Sequence, residues 1–260
     1  MNLEKAQPFA KWTADRKELL GKLTANMPMY YGRYYEAFAA GGALMFEEAP
    51  KNGVISDKDE YLVNAYNQIK DNCDDVIQCL KKLGGAIAVD EDAAMLAERD
   101  PELYSIIEKA FEEKVAEKAM DAECAAIWMV LNKVKGSVIS ESNIKKVSEF
   151  LNENQITIRN WDFEDLCDRV MPGDFVYFNI PYAPEDGTEN PNFTREDHER
   201  LVKVFDVLDV KGGILMLSNN NVELMKELYP RYNKIETNGR SRSDIAPDMT
   251  KRRDIIITNY

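Results

Sequence analysis

Six short, largely apolar runs are spaced along this chain, at residues 34–38, 53–57, 156–158, 175–178, 213–218 and 254–258, and they constrain its fold more than any other feature. Each has the length of a strand, and helical segments such as residues 196–208 divide them. Apolar residues at successive rather than alternate positions are expected where both faces of a strand are covered, which is the habit of parallel sheets. The pattern predicts an α/β fold with a mostly parallel sheet. The first run leads into Ala39-Ala40-Gly41-Gly42, and Ala43-Leu44-Met45-Phe46 begins the next helix. A strand, a small-residue turn and a helix N-terminus make the opening unit of a nucleotide-binding α/β fold. Asp57 closes the second run about 20 residues beyond the first, an offset at which an acid reaches a ribose hydroxyl.

Between residues 60 and 135 the pattern changes to long amphipathic helices, over 61–83 and 103–132, the second rich in Ala, Glu and Lys. This reads as a helical insert between the halves of an α/β domain. The expected organisation is one domain from residues 1–66 and 136–260, with residues 67–135 as the insert. Residues 9–26 read as a helix entry, with Leu19, Leu20 and Leu23 at helical spacing. Residues 142–152 give another helix, opened by the cap-like Ser140 and Ser142.

Composition narrows the classes further. The chain has 260 residues, is 45% hydrophobic and carries no apolar run near the roughly 20 residues of a membrane span. The N-terminus, Met1-Asn2-Leu3-Glu4-Lys5, has no apolar signal core, so a cytoplasmic protein is expected. The four cysteines show no CxxC spacing, which suggests reduced, mostly buried thiols and neither a metal site nor a disulfide framework. A net charge of −13 runs against the basic surface from which most DNA-binding domains gain affinity. The basic stretch Arg240, Arg242, Lys251, Arg252 and Arg253 is the best candidate for phosphate contact.

The sharpest chemical signal is the end of the fourth run, Asn179-Ile180-Pro181-Tyr182. Such a tetrad can hold a flipped adenine: the Asn179 side-chain oxygen and the Ile180 carbonyl would accept its two N6 hydrogens, and Tyr182 would stack on its ring. Methyl transfer from a sulfonium requires no covalent intermediate, only in-line positioning and a more nucleophilic amine.

Several ordered segments then resemble the Dam-type family of DNA adenine N6-methyltransferases. They are Pro8-Phe9-Ala10-Lys11-Trp12, residues 35–44, Ser56-Asp57 with residues 62–66, and Asn160-Trp161-Asp162-Phe163. The Asn-Ile-Pro-Tyr segment, Phe193-Thr194 with residues 197–201, and residues 255–260 follow in the same order. The resemblance implies a Rossmann-like fold and S-adenosylmethionine (SAM) as cofactor. It implies that Trp12 and Arg16 and the turn through Glu36, Phe38, Ala40 and Gly42 flank SAM. Asp57 would hold the ribose hydroxyls, Asp162 and Phe163 would border the SAM adenine, and Asn179 would lie between cofactor and target. Asn179, Ile180, Pro181 and Tyr182 would face the target base. His198 matches a helix position of the family rather than a catalytic one.

Three motifs depart from the family. Its Trp-x-Gly-Gly-Lys becomes Trp12-Thr13-Ala14-Asp15-Arg16, which loses two glycines of a close-approach loop and gains an acid. Its Glu-Pro-Phe-x-Gly-x-Gly becomes Glu36-Ala37-Phe38-Ala39-Ala40-Gly41-Gly42, which adds a methyl to the turn. Its Asp-Pro-Pro-Tyr becomes Asn179-Ile180-Pro181-Tyr182, similar to the motif of rRNA adenine dimethyltransferases of the erythromycin-resistance type. After Lys133 the family continues into a β-hairpin that reads bases, whereas here Val134-Lys135-Gly136-Ser137 runs almost directly to the next helix. The expected function is SAM-dependent adenine-N6 methylation of DNA or another nucleic acid, as in restriction-modification. The alternatives are an inactive Dam-like protein whose acidic surface docks on a protein partner or inhibits a nucleic-acid enzyme, and a SAM-binding regulator. No membrane and no metal partner is expected.

Overall fold

The computed structural model describes residues 5–10, 17–83, 92–134, 136–238 and 253–260. The described elements begin with α1 (Lys17–Ala25), β1 (Tyr34–Ala37), α2 (Ala43–Glu48) and β2 (Val54–Ser56). Helices α3 (Glu60–Asp71), α4 (Cys73–Lys82), α5 (Ala93–Arg99), α6 (Pro101–Glu117), α7 (Ala122–Leu131) and α8 (Glu141–Glu153) follow. Then come β3 (Thr157–Arg159), a 3-10 turn at Phe163–Asp168, and β4 (Phe175–Phe178). Helix α9 (Arg195–Val210), β5 (Ile214–Asn220), α10 (Glu223–Leu228), β6 (Asn233–Asn238) and β7 (Arg253–Thr258) complete the order.

The chain divides into two compact units. One holds the described residues within 1–14, 40–50 and 57–160; the other holds those within 15–39, 51–56 and 161–260.

The second unit is built on strands in the order β2-β1-β4-β5-β7-β6. The pairings β2–β1, β1–β4 and β4–β5 are parallel, with Tyr35 opposite both Val54 and Val176, and Tyr177 opposite Met216. The pairings β5–β7 and β7–β6 are antiparallel, with Leu217 and Ile235 opposite Ile257 and Ile256 respectively. All four residues of β1 and of β4 are buried, which accounts for their continuous apolar character. On one face Tyr35, Ala37, Val176, Phe178, Leu215 and Leu217 pack with Leu201, Val204, Phe205 and Leu208 of α9. These four recur at helical spacing, so burial of that stripe fixes α9 against the strands. Thr194 and Asp197 form a reciprocal capping box that starts α9.

The first unit is helical apart from β3. Helix α7 is its apolar centre: seven of its ten residues are buried, from Cys124 to Val130. A helix buried nearly all round has no polar face, which is why no amphipathic stripe marks it. Ile127 and Val130 pack with Leu96 of α5 and Ile107 of α6. Asp121 starts α7 by accepting the Cys124 N–H at 2.7 Å.

Two long helices expected from periodicity are each broken in two. The first breaks at Asn72, whose φ of −133° and ψ of 43° both end α3 and begin α4. The second breaks after Lys118, which takes a left-handed φ of 54° before the Asp121 cap. Apolar spacing continues across both breaks, so periodicity does not reveal them: the backbone turns at Asn72, and at the second break the left-handed Lys118 and the Asp121 cap separate the helices. The strand β6 was also unexpected. Its polar sequence, Asn-Lys-Ile-Glu-Thr-Asn, suits an edge strand rather than an apolar interior one.

Candidate active site

In the helical unit, the turn at Ala40–Gly42 and the acid Asp57 come together. The Asp57 Oδ2 accepts the Ala40 N–H at 3.3 Å, and Oδ1 accepts the Asp59 N–H at 3.0 Å. A carboxylate offers about four acceptor sites, so two amide bonds orient it without exhausting it. The Asn160 side-chain amide donates to the Asp57 carbonyl at 3.0 Å. The chemistry of this acid fits the hydroxyls of a ribose.

The backbone of the turn is forced. Ala40 has φ 42° and Gly42 has φ 62°. A left-handed conformation costs an ordinary L-residue about 1–2 kcal/mol, so Ala40 holds a conformation that suits glycine. At Gly42 a Cβ would lie 2.8 Å from the Tyr66 hydroxyl and 3.0 Å from Met45 Cε. That hydroxyl donates to the Ala40 carbonyl at 3.1 Å, and the Tyr66 ring meets Phe9 edge-on at 4.8 Å.

In the sheet unit, Glu36 is buried in β1, and the Tyr34 hydroxyl donates to its Oε2 at 2.7 Å. Burial, and then the neighbouring Glu36, hold the Tyr34 phenol well above its ordinary pKa. Phe38, with φ 59°, stacks on Phe163 with centroids 5.4 Å apart and an interplanar angle of 26°; Phe193 meets Phe38 edge-on at 5.5 Å. Asp162 is the N-cap of the 3-10 turn, accepting the Glu164 N–H, while its own N–H donates to Asp165. Arg200 of α9 ties this corner together. It bonds Asp162 at 3.1 Å, Glu164 at 2.9 Å and Asp197 at 3.0 Å, and lies 4.8 Å over the Phe163 ring. The bond from Arg200 holds the Glu164 carboxyl below its usual pKa.

The Asn179–Tyr182 segment leaves the carboxyl end of β4, where open α/β sheets bind ligands. The Asn179 N–H continues the pairing by donating to the Ala37 carbonyl at 3.3 Å. Ile180 is buried, and Tyr182 is half-buried. Asn219 and Asn220, at the end of β5, bond to the backbone of Pro181 and Ala183, and Asn190 bonds to that of Tyr182. Sequence reasoning gave these three asparagines no role. The available signal was Ser218-Asn219-Asn220-Asn221, a polar run at the carboxyl end of an apolar strand. A cavity of about 1120 Å³ adjoins this loop, lined among others by Ala183, Asn190, Phe193, His198 and Asn221. Glu185, Asp186, Glu189 and Glu223 also line it and outnumber the cationic Arg195, a net negative pattern unsuited to phosphate. His198 is buried against Phe193, and burial lowers its pKa to about 4.

Trp12, Arg16, Arg240, Arg242, Lys251 and Arg252 lie outside the described residues, as does the Arg253 side chain, although Arg253 opens β7. Among the described residues, no group of three or more His, Cys, Asp or Glu is arranged to hold a metal ion. None of their helices is long and apolar enough to cross a membrane.

A mostly parallel sheet with a small-residue turn after its first strand, an acid after its second and a polar Pro-Tyr loop after β4 defines a Rossmann-like methyltransferase class of protein. Within that class, the match of residues 15–242 shows that the chain belongs to the D12 class N6 adenine-specific DNA methyltransferase family. Methyltransferases of this family use SAM. The chain is 33% identical over 287 residues to the Type II methyltransferase M1.LlaDCHI of Lactococcus lactis subsp. cremoris, with 98% of this chain and 95% of the relative covered. It is 28% identical over 296 residues to the Type II methyltransferase M.MjaIII of Methanocaldococcus jannaschii, covering 98% and 99%.

Proposed function

We propose that this chain transfers a methyl group from SAM to N6 of an adenine flipped out of DNA, as the modification enzyme of a restriction-modification pair. The observation that carries the reading is the Asn179-Ile180-Pro181-Tyr182 loop at the carboxyl end of β4 in a chain of this family. Bound SAM supplies an electrophilic methyl on a sulfonium. The Asn179 Oδ1 and the Ile180 carbonyl would accept the two N6 hydrogens, freeing the nitrogen lone pair for the methyl. Transfer would leave a neutral thioether in place of the sulfonium, and the methylated nitrogen would lose one hydrogen as a proton to solvent. Pro181 fixes the backbone between them and the ring of Tyr182, which stacks on the base. Asp57 would accept from the ribose hydroxyls, and its two amide bonds orient it for that task. By the family resemblance, the turn through Glu36, Phe38, Ala40 and Gly42 would flank the cofactor together with Trp12 and Arg16, and Asp162 and Phe163 would border its adenine.

Substrate choice follows from what the chain lacks and keeps. We assign residues 67–135 as a reduced target-recognition insert and Arg240, Arg242, Lys251, Arg252 and Arg253 as phosphate contacts. The Dam-type resemblance makes a GATC-like site the first target to test. Helices α7 and α8 are joined by residues 132–140, a short stretch for a base-reading hairpin. The alignments to both relatives run longer than the 260 residues of this chain, which supports segments absent here.

The test is transfer of labelled methyl from SAM to adenine-containing duplexes. Asn179→Ala should lower the rate about 10²- to 10³-fold, the scale for losing one transition-state hydrogen bond, while SAM still binds. A variant that keeps its rate would remove the assigned role of Asn179. SAM binding lost in Asp57→Ala would support the cofactor assignment.

A further inference from the structure

We propose that Asn219 and Asn220, helped by Asn190, are positioning residues for methyl transfer: they clamp the backbone of residues 181–183 and so set the pose of the adenine-facing groups. The proposal rests on the reading of the Asn-Ile-Pro-Tyr loop given above.

The clamp stands on a strand that cannot readily move. Strand β5 is paired on one side with β4 and on the other with β7, where Asn219 lies opposite Ile255 and Asn220 opposite Asp254. Asn219 is fully buried, and its carboxamide is used in two directions. Its Oδ1 accepts the N–H of Ala183 at 2.9 Å and that of Asn220 at 2.8 Å, and its Nδ2 donates to the Pro181 carbonyl at 3.3 Å. The Asn220 Nδ2 donates to the Ala183 carbonyl at 2.6 Å, and the Asn190 Nδ2 to the Tyr182 carbonyl at 3.1 Å. The carbonyls of Pro181, Tyr182 and Ala183 and the amide of Ala183 are thus each tied to a side-chain carboxamide.

The residue type follows from the loop's chemistry. Pro181 has no N–H, so the chain leaving β4 cannot continue a sheet ladder there. Its buried polar groups still need partners. One site on β5 must both donate and accept. A carboxamide does so, whereas a carboxylate offers only acceptors and an aliphatic side chain neither. With the peptide groups on both sides of Tyr182 held, the direction in which its side chain leaves the backbone is set, and the freedom of the Ile180 carbonyl one proline earlier is reduced. The clamp acts through this backbone and not on the base.

The experiment uses the full-length protein as wild type, Asn219→Ala and Asn190→Ala. Hydrogen exchange of the Ala183 amide, SAM titration and single-turnover methyl transfer to an adenine-containing duplex are measured on each. In Asn219→Ala the Ala183 amide should exchange about tenfold faster, the amides of β7 and those of β5 other than Asn220 should keep their rates, and SAM affinity should be retained. The transfer rate should fall about 100-fold, the scale of a misplacement near 1 Å. Asn190→Ala, at a partly exposed position off the sheet, should slow transfer about tenfold at unchanged SAM affinity, which keeps the test alive if Asn219→Ala does not fold. An active wild type whose Asn219→Ala form keeps its exchange and transfer rates overturns the clamp alone. So does a transfer rate that falls only as far as SAM binding falls. A wild type that transfers no methyl to any such duplex overturns the functional reading, and this role with it.

Discussion

The loop after β4 and the turn before α2 both present backbone to a ligand in the proposed reaction, yet different forces shape them. At the loop, long-range carboxamides reach in from β5 and from residue 190 and satisfy successive peptide groups. At the turn, the backbone itself is bent into left-handed conformations at Ala40 and Gly42, and the Tyr66 hydroxyl and the Asp57 carboxylate hold only the two polar groups of Ala40. The loop is specified by partners distant in sequence, so its shape depends on the strands beneath it. The turn stores conformational strain, so its shape depends on which residues tolerate a positive φ. Removing a carboxamide from the first costs hydrogen bonds; adding a methyl at Gly42 in the second costs torsion and space.

This contrast is open to test. The largest effect is expected at the turn: Gly42→Ala adds a Cβ 2.8 Å from the Tyr66 hydroxyl at a φ of 62°, and should lower stability by about 2–3 kcal/mol in denaturant unfolding. A smaller loss would mean that the turn relaxes and that strain is not its organising force. The next probes the wall of the sheet unit through His198. Its folded pKa, lowered to about 4 by burial, lies below the usual 6.5, so the unfolded chain binds the proton more readily. Its contribution is complete above pH 6.5 and is lost as pH falls toward 4, by about 2 kcal/mol over that window. Unfolding curves from pH 7 to 4 should show this loss, and His198→Leu should flatten it; parallel curves for the two proteins would argue against a neutral buried imidazole.

The two smallest effects return to the turn. Tyr66→Phe removes the bond to the Ala40 carbonyl and should cost about 1 kcal/mol in the same unfolding measurement. Ala40→Gly relieves the left-handed strain but frees the unfolded chain, for a net gain of about 0.5 kcal/mol. A loss of stability there would show that the Ala40 methyl makes contacts worth more than the strain.

Much of the sheet was legible in the sequence because buried parallel strands are read from local composition alone. The positions of Asp57 and of Asn179–Tyr182 at strand ends were legible for the same reason, since a polar residue stands out after an apolar run. The stacking of Phe38 on Phe163 and the convergence of Arg200 on Asp162, Glu164 and Asp197 were not, because both bring together residues far apart in the chain. Asn219 illustrates the limit. Its identity is evident, but its value lies in which peptide groups it meets, and nothing local encodes that. The helix breaks at Asn72 and Lys118 escaped for a different reason: the apolar stripe continues through them, and only the backbone turns.

The joint between α7 and α8 has a practical consequence for engineering. It follows a helix that is buried along nearly its whole length, and the joint itself is tethered on either side by the bonds from the Ala93 N–H to the Lys133 carbonyl and from the Val138 N–H to the Pro8 carbonyl. Lengthening a connection of this kind costs little, about 0.6 kcal/mol for each doubling. A sequence-reading hairpin inserted between these two tethers would therefore leave the apolar centre of the helical unit intact, making residues 134–137 a natural graft point for giving the scaffold a new target site.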